Sequence, residues 1–266
     1  MIAGKPDIRM LLVEQYTKLV AATRFLSTLP LPGKKLLVSG ETVEAAPLLG
    51  AEYFPLVGLF IGIILALLAW LGSGFVPQLV LAALLIVVQV LLTGGLHLDG
   101  LMDSCDGLFG GFTRERKLEI MRDSRVGSFG VLGGACALLL KFAILASFIL
   151  HILPFVFLVT LPVARWCMVL ALRGFPAARA TGLGASFRQT VTRRELLIAC
   201  VFSLLCALLS VGLPGIAIWC TMTLAALLSG AWLTRTLGGL TGDTYGAIAE
   251  ITELVGLLTC LLLRLH

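Results

Sequence analysis

The sequence predicts an all-α, polytopic membrane protein of about seven transmembrane helices, and three observations carry that prediction. Only 13% of its residues are charged and 59% are hydrophobic, with a mean hydropathy of +1.03, whereas soluble domains carry roughly 25% charged residues. Apolar windows long enough to cross about 30 Å of hydrocarbon recur along the chain. The basic residues, finally, gather on alternate connections between those windows.

The chain reads as one domain over residues 1–266, with an interfacial helix and connector in 1–46 and a transmembrane bundle in 47–266. Residues 10–29 carry Glu14, Lys18 and Arg24 inside an otherwise apolar stretch. Those charges interrupt any signal-peptide core, and the pattern predicts an amphipathic helix lying at the bilayer surface. Residues 33–46 form a polar connector. The predicted spans are 53–72, 76–93, 128–150, 153–172, 195–212, 214–233 and 247–263.

Seven spans divide the connections into two sets. Residues 1–52, 94–127, 173–194 and 234–246 hold all but three of the 20 basic residues, the exceptions being Lys141, Arg165 and Arg264. The positive-inside rule makes that set cytoplasmic in a multi-pass membrane protein. A net charge of +5 is then a topology signal, and with no aromatic interleaving or nucleic-acid motif it implies no nucleic-acid partner. The lipid bilayer is the expected partner. None of the 15 acidic residues falls in the short outer loops, so the polar chemistry collects on one face. Six of the seven cysteines lie inside spans with no C-x-x-C pairing and read as small reduced hydrophobes; Cys105 is a candidate substrate contact.

The densest chemistry is "GGLHLDGLMDSCDGLFGG", residues 94–111. As a helix it stacks Asp99, Asp103 and Asp106 at i, i+4 and i+7 on one face. Three anions on one stripe repel one another and are costly to desolvate near lipid. A bound divalent cation resolves both problems, and carboxylate oxygens suit Mg²⁺ or Mn²⁺ completed by substrate phosphates. His97 reads as a hydrogen-bonding neighbour of such a site rather than a ligand. The surrounding glycines permit close backbone approach.

Two further clusters fall on the same side. "IMRDSRVGSFGVLGG", residues 120–134, places Arg122, Asp123 and Arg125 before a span, where guanidinium forks suit phosphate oxygens. "LGGLTGDTYGAIAEITE", residues 237–253, spaces Asp243, Glu250 and Glu253 along one helical face and predicts a second wall facing metal or substrate. Arg165 inside a span and Arg173 at its end require a partner or an anionic ligand; Lys141 reads as structural. The combination predicts metal-assisted phosphoryl chemistry on a phosphorylated substrate.

The motifs "GGLHLDGLMDSCDG", "IMRDSRVGSFG" and "GGLTGDTYGA..E", with "FLSTLPLP" at 25–32 and "EYFPLVG" at 52–58, resemble the cobalamin synthase family, the adenosylcobinamide-GDP ribazoletransferases. The resemblance implies an inner-membrane, Mg²⁺-dependent transferase that joins adenosylcobinamide-GDP to α-ribazole, giving adenosylcobalamin and GMP. With α-ribazole 5′-phosphate the product would be the 5′-phosphate. It places Glu52, Asp99, Asp103 and Asp106 in the metal set. Arg122, Asp123, Arg125, Asp243 and Glu250 match its other motifs and fall toward substrate, joined by Arg165 and Arg173 from their place in the span. His97, Asp106, Arg122 and Arg125 are assigned to catalysis, with His97 as first candidate proton acceptor and an aspartate of the same face second. A homo-oligomer, or association with other cobalamin-assembly enzymes, is compatible with it. Two alternatives fit less well. The D-G-x-x-A-R pattern of CDP-alcohol phosphatidyltransferases would need alanine and arginine at 103 and 104, where Asp103 and Ser104 stand. A cation transporter would carry its carboxylates near the midplane and show a repeat between halves.

Overall fold

Helical periodicity and hydrophobic length decide the architecture, because a chain in hydrocarbon must satisfy its backbone groups internally. The computed structural model describes residues 8–30, 50–179 and 191–264; the connector expected at 33–46 lies outside them. The described elements are α1 Ile8–Leu26, a 3₁₀ turn at Ala51–Tyr53, α2 Phe54–Gly72, α3 Gln78–Thr93, α4 Leu96–Gly110, α5 Arg114–Ile120, α6 Ser128–Ser147, α7 Leu153–Gly174, α8 Arg193–Val211, α9 Pro214–Leu237 and α10 Gly242–Leu262. Among the described residues there is no β-strand, only an isolated bridge between Ala177 and Leu240.

Six helical segments are long and apolar enough to cross a bilayer, and α3 with α4 forms a bent pair that brings the number to seven. The bend has a local cause. Helix α3 runs 16 residues, about 24 Å at 1.5 Å per residue, and is followed by Gly94 (φ 62°) and Gly95 (φ 72°). Two successive left-handed residues are strongly disfavoured for anything but glycine. The chain turns by 89° there, so α4 runs across one end of the bundle, outside the spanning segments. The acidic stretch is thus a helix laid over the mouth.

Helix α7 forms the centre. Most of its residues from Leu153 to Leu172 are buried, with Pro162 inside it, while Phe155 near its start is exposed. Helix α2 approaches through Gly58 and Gly62, where an added Cβ would stand 2.6 Å from the Leu161 carbonyl oxygen and 2.8 Å from that of Phe157. Such small-residue contacts let membrane helices associate when burial of apolar surface gives no drive. Outward faces carry exposed Trp70, Leu84, Leu139, Leu209 and Leu228, the apolar surface that hydrocarbon requires. Helix α1 exposes Met10, Leu12, Val13 and Tyr16 in its first half and buries Ala22 and Leu26 in its last turns, consistent with the interfacial helix read from the sequence.

Candidate active site

The starts of α2, α6, α8 and α10 and the ends of α3, α7 and α9 share one end of the bundle through alternating chain direction, and α4 and α5 lie across it. Every acidic and basic motif of the sequence analysis reaches this polar end or the bundle just beneath it.

Asp106 is the most firmly placed of the three stacked aspartates. Its Oδ2 accepts from the Gly127 amide and its Oδ1 from the Gly130 amide, each at 2.7 Å. Those amides open α6, so the carboxylate caps that helix where its dipole favours an anion. A side chain at Gly130 would collide with the same carboxylate. With both oxygens committed to amides, Asp106 fastens α4 to α6.

Asp99 and Asp103 differ. Neither has a hydrogen bond or ion pair among the described residues; Asp99 is exposed and Asp103 half-buried. Desolvation, followed by repulsion from Asp99, Asp243 and Asp106, raises the Asp103 carboxyl to about 6. Asp243 comes from the first turn of α10, where the Thr241–Thr244 capping box starts the helix and the Thr241 hydroxyl donates to Asp243 Oδ2 at 3.3 Å. Gly100 brings α4 directly onto α10: an added Cβ would lie 2.6 Å from the Asp243 carbonyl oxygen. Asp99, Asp103 and Asp243 therefore concentrate negative charge, offset only in part by the Arg179 charge and the Thr241 hydroxyl, both of which act on Asp243.

Cations stand near this face, though not all those expected. Arg125 binds Asp123 in its own turn, with Nη2–Oδ2 at 2.7 Å and Nε–Oδ1 at 3.0 Å; this exposed pair holds the Asp123 carboxyl down at about 2. Arg122 is exposed and has no partner among the described residues. Arg179, absent from the expected set, comes in beside it. Its Nη2 donates to the Leu118 carbonyl at 2.6 Å, one turn before Arg122. The segment leading to Arg179 is pinned by the Ala178 amide to Leu240 at 2.9 Å and by Arg114 Nη2 to the Ala178 carbonyl at 3.2 Å. Burial, then Arg122, lowers the Arg179 guanidinium pKa, while Asp243 opposes that shift. In sequence Arg179 is one of several basic residues in 173–194, and nothing in its spacing separates it from the positive-inside group; its place depends on the pairing with 240.

The remaining candidates lie elsewhere. Glu52, 7% exposed, receives Lys18 at 3.4 Å, and the same ammonium reaches Glu14 and Glu195; no described contact joins Glu52 to the aspartate face. His97, in the first turn of α4, is 1% exposed, and neither ring nitrogen has a partner among the described residues. Glu250 is paired with Lys141 inside the bundle, and Arg165 stands 4.0 Å from Glu253. Arg173 closes the last turn of α7, half-buried. Cys105 packs toward α6, where it would obstruct a side chain at Gly133.

Among the described residues no group of three or more His, Cys, Asp or Glu side chains converges closely enough to hold a metal unaided. The donor chemistry still suits Mg²⁺, which usually takes one or two carboxylates and completes its shell with water and substrate phosphate. Asp99 and Asp103, which have no partner among the described residues, meet that description with Asp243 beside them; Asp106 and Glu52 already have partners.

Fold and site together define a polytopic membrane protein whose unpaired carboxylates and phosphate-matching arginines gather at one mouth. The family model described as cobalamin-5-phosphate synthase matches residues 18–261, and the chain belongs to that family. It is 43% identical over 246 residues, 91% of this chain and 95% of the relative, to the adenosylcobinamide-GDP ribazoletransferase of Desulfitobacterium hafniense. To the protein of the same name from a Roseiflexus species it is 44% identical, over 90% of this chain and 87% of that one. No solved structure matches.

Proposed function

We propose that this chain is an adenosylcobinamide-GDP ribazoletransferase, joining adenosylcobinamide-GDP and α-ribazole, or its 5′-phosphate, to give adenosylcobalamin, or its 5′-phosphate, and GMP. Relatives of that name covering nine-tenths of the chain support the activity. The observation that carries the chemistry is the acidic face of Asp99, Asp103 and Asp243, the first two without a partner among the described residues, beside Arg122 and Arg179.

A hydroxyl oxygen of α-ribazole forms a bond to the phosphorus that carries the cobinamide arm, the bond from that phosphorus to GMP breaks, and the hydroxyl proton passes to a base. Mg²⁺, held by one or two of the carboxylates Asp99, Asp103 and Asp243, would supply charge neutralisation on the pyrophosphate. Arg122 and Arg179 orient the phosphates and offset the charge gathering on departing GMP. A base must reach the hydroxyl proton directly or through one water. Asp99 is exposed and Asp103 half-buried, whereas His97 in the first turn of α4 is buried, so the geometry favours an aspartate over His97 as acceptor. Asp106 serves by holding α4 against α6.

The positive-inside distribution supports a mouth facing the cytoplasm across the inner membrane, where nucleotide substrates reside. Single cysteines in 94–127 should react with impermeant reagents only from the cytoplasmic side. Membranes containing the protein, supplied with adenosylcobinamide-GDP and either ribazole form, should release GMP as cobalamin appears. No GMP from either form, with the protein present and folded, would overturn the reading.

A further inference from the structure

Beneath the mouth lies a second charged cluster whose members are all buried. Lys141 Nζ on α6 stands 2.9 Å from Glu250 Oε2 and 3.0 Å from Glu253 Oε1 on α10. Gln89 Nε2 on α3 donates to both oxygens of Glu253 at 2.8 Å, and Arg165 Nη1 on α7 lies 4.0 Å from Glu253 Oε2. Two cations thus face two carboxylates across four helices. Taking such groups from water is expensive, and apolar residues of equal volume commonly give at least equal stability. What the ions add is direction. Apolar packing tolerates a helix that rotates or slides, whereas hydrogen-bonded charge pairs allow one register.

That register bears on the mouth. Helices α4, α6 and α10 form a triangle with two sides fixed at the polar end: α4 touches α10 at Gly100 and Gly246, and α4 is tied to α6 by Asp106. The third side, α6 to α10, is joined lower down by Lys141. Lys141 follows Gly130 by eleven residues, and Glu250 follows Asp243 by seven; three turns and two turns return each to the same helical face. A rotation of α10 that broke the Lys141 contacts would therefore also swing Asp243 away from Asp99 and Asp103.

We propose that Lys141 is a positioning residue: by holding Glu250 and Glu253 it fixes the register of α10, and so sets the divalent-cation affinity of the mouth without touching it. The inference rests on the reading that Asp99, Asp103 and Asp243 hold the cation.

Lys141→Met alone leaves a buried anion without its partner and is expected to fold poorly. Lys141→Met/Glu250→Gln removes one charge of each sign and leaves the Gln89–Glu253–Arg165 contacts in place. The full chain, purified in detergent, is titrated with Mn²⁺ alone and followed by electron paramagnetic resonance, with thermal unfolding, kcat and KM measured alongside. The double variant should unfold near the wild-type temperature, bind Mn²⁺ about tenfold more weakly and lose kcat in similar proportion, at the low end of what disturbing the support of a metal site does. Its KM for adenosylcobinamide-GDP should stay within about twofold, since uniform substrate binding is untouched. Unchanged Mn²⁺ affinity in the folded double variant would overturn the proposal. So would a raised KM with unchanged Mn²⁺ affinity, which would make Glu250 a substrate contact. If the double variant does not accumulate, Gln89→Met removes both Gln89 hydrogen bonds to Glu253 without changing charge, leaving the Lys141 contact, and the same titration decides. Asp103→Asn separates the two layers: Mn²⁺ binding equal to wild type in that variant would sink the cation reading of the mouth, and the positioning role with it.

Discussion

The two charged regions of this bundle use the same residue types to opposite ends. Inside, Lys141 and Arg165 meet Glu250 and Glu253, with Gln89 supplying further donors, and the charges balance. At the mouth, Asp99 and Asp103 have no partner among the described residues, and Asp103 is raised to about 6 by desolvation and by the anions around it. Burial forces the core carboxylates to pair; at the mouth, the unpaired anions are the charge that the proposed cation would offset.

The comparison can be broken by neutralising carboxylates in each region. Asp99→Asn/Asp243→Asn should cut turnover by orders of magnitude, because charge stabilisation of this kind is worth several kcal/mol. Accumulation and thermal unfolding should not suffer, since repulsion falls; GMP release normalised to folded protein in the membrane checks both. Glu253→Gln should do the reverse. Leaving Lys141 and Arg165 short of a buried carboxylate costs about 3–5 kcal/mol, so protein level and unfolding temperature should drop before any specific kinetic effect is visible.

Smaller effects sharpen the mouth itself. Arg179→Lys keeps the charge and loses the planar fork, and should raise KM for adenosylcobinamide-GDP roughly tenfold, the loss of about one charge-assisted hydrogen bond. A variant with unchanged kinetics would return Arg179 to the positive-inside group. Asp123→Asn removes only the exposed local pair with Arg125, and turnover should stay within about twofold of wild type, as exposed pairs contribute little. A large loss there would move Asp123 from the turn into the site.

Which parts of this were legible in the sequence follows from what each part depends on. The spans follow from local composition, and six of the seven predicted apolar windows appear as full-length helices. The seventh, α3, was bounded correctly at residue 93, but the right-angle turn after it depends on two glycines both adopting positive φ, and hydropathy does not register backbone hand. Residues 99, 103 and 106 were readable as one stripe because helical period is local. That Asp106 spends its oxygens on the amides of Gly127 and Gly130 could not be read, since it requires α6 to begin beside α4. Arg165 announced its need for a partner by sitting in a span, and Glu253 is that partner; which glutamate would serve was a question of tertiary packing. Arg179 carried no signal at all in one dimension.

The central claim is that the mouth aspartates remain unpaired because a divalent cation is their counter-ion. The most direct measurement is GMP release against Mg²⁺ concentration for wild type and Asp103→Asn, at fixed adenosylcobinamide-GDP and α-ribazole, with folded protein quantified in the same membranes. The account predicts saturable Mg²⁺ dependence in the wild type, and in Asp103→Asn equal protein, a shift of half-saturation to at least about tenfold higher Mg²⁺ and a large fall in maximal rate. Equal rates and equal Mg²⁺ dependence in the two proteins would contradict it.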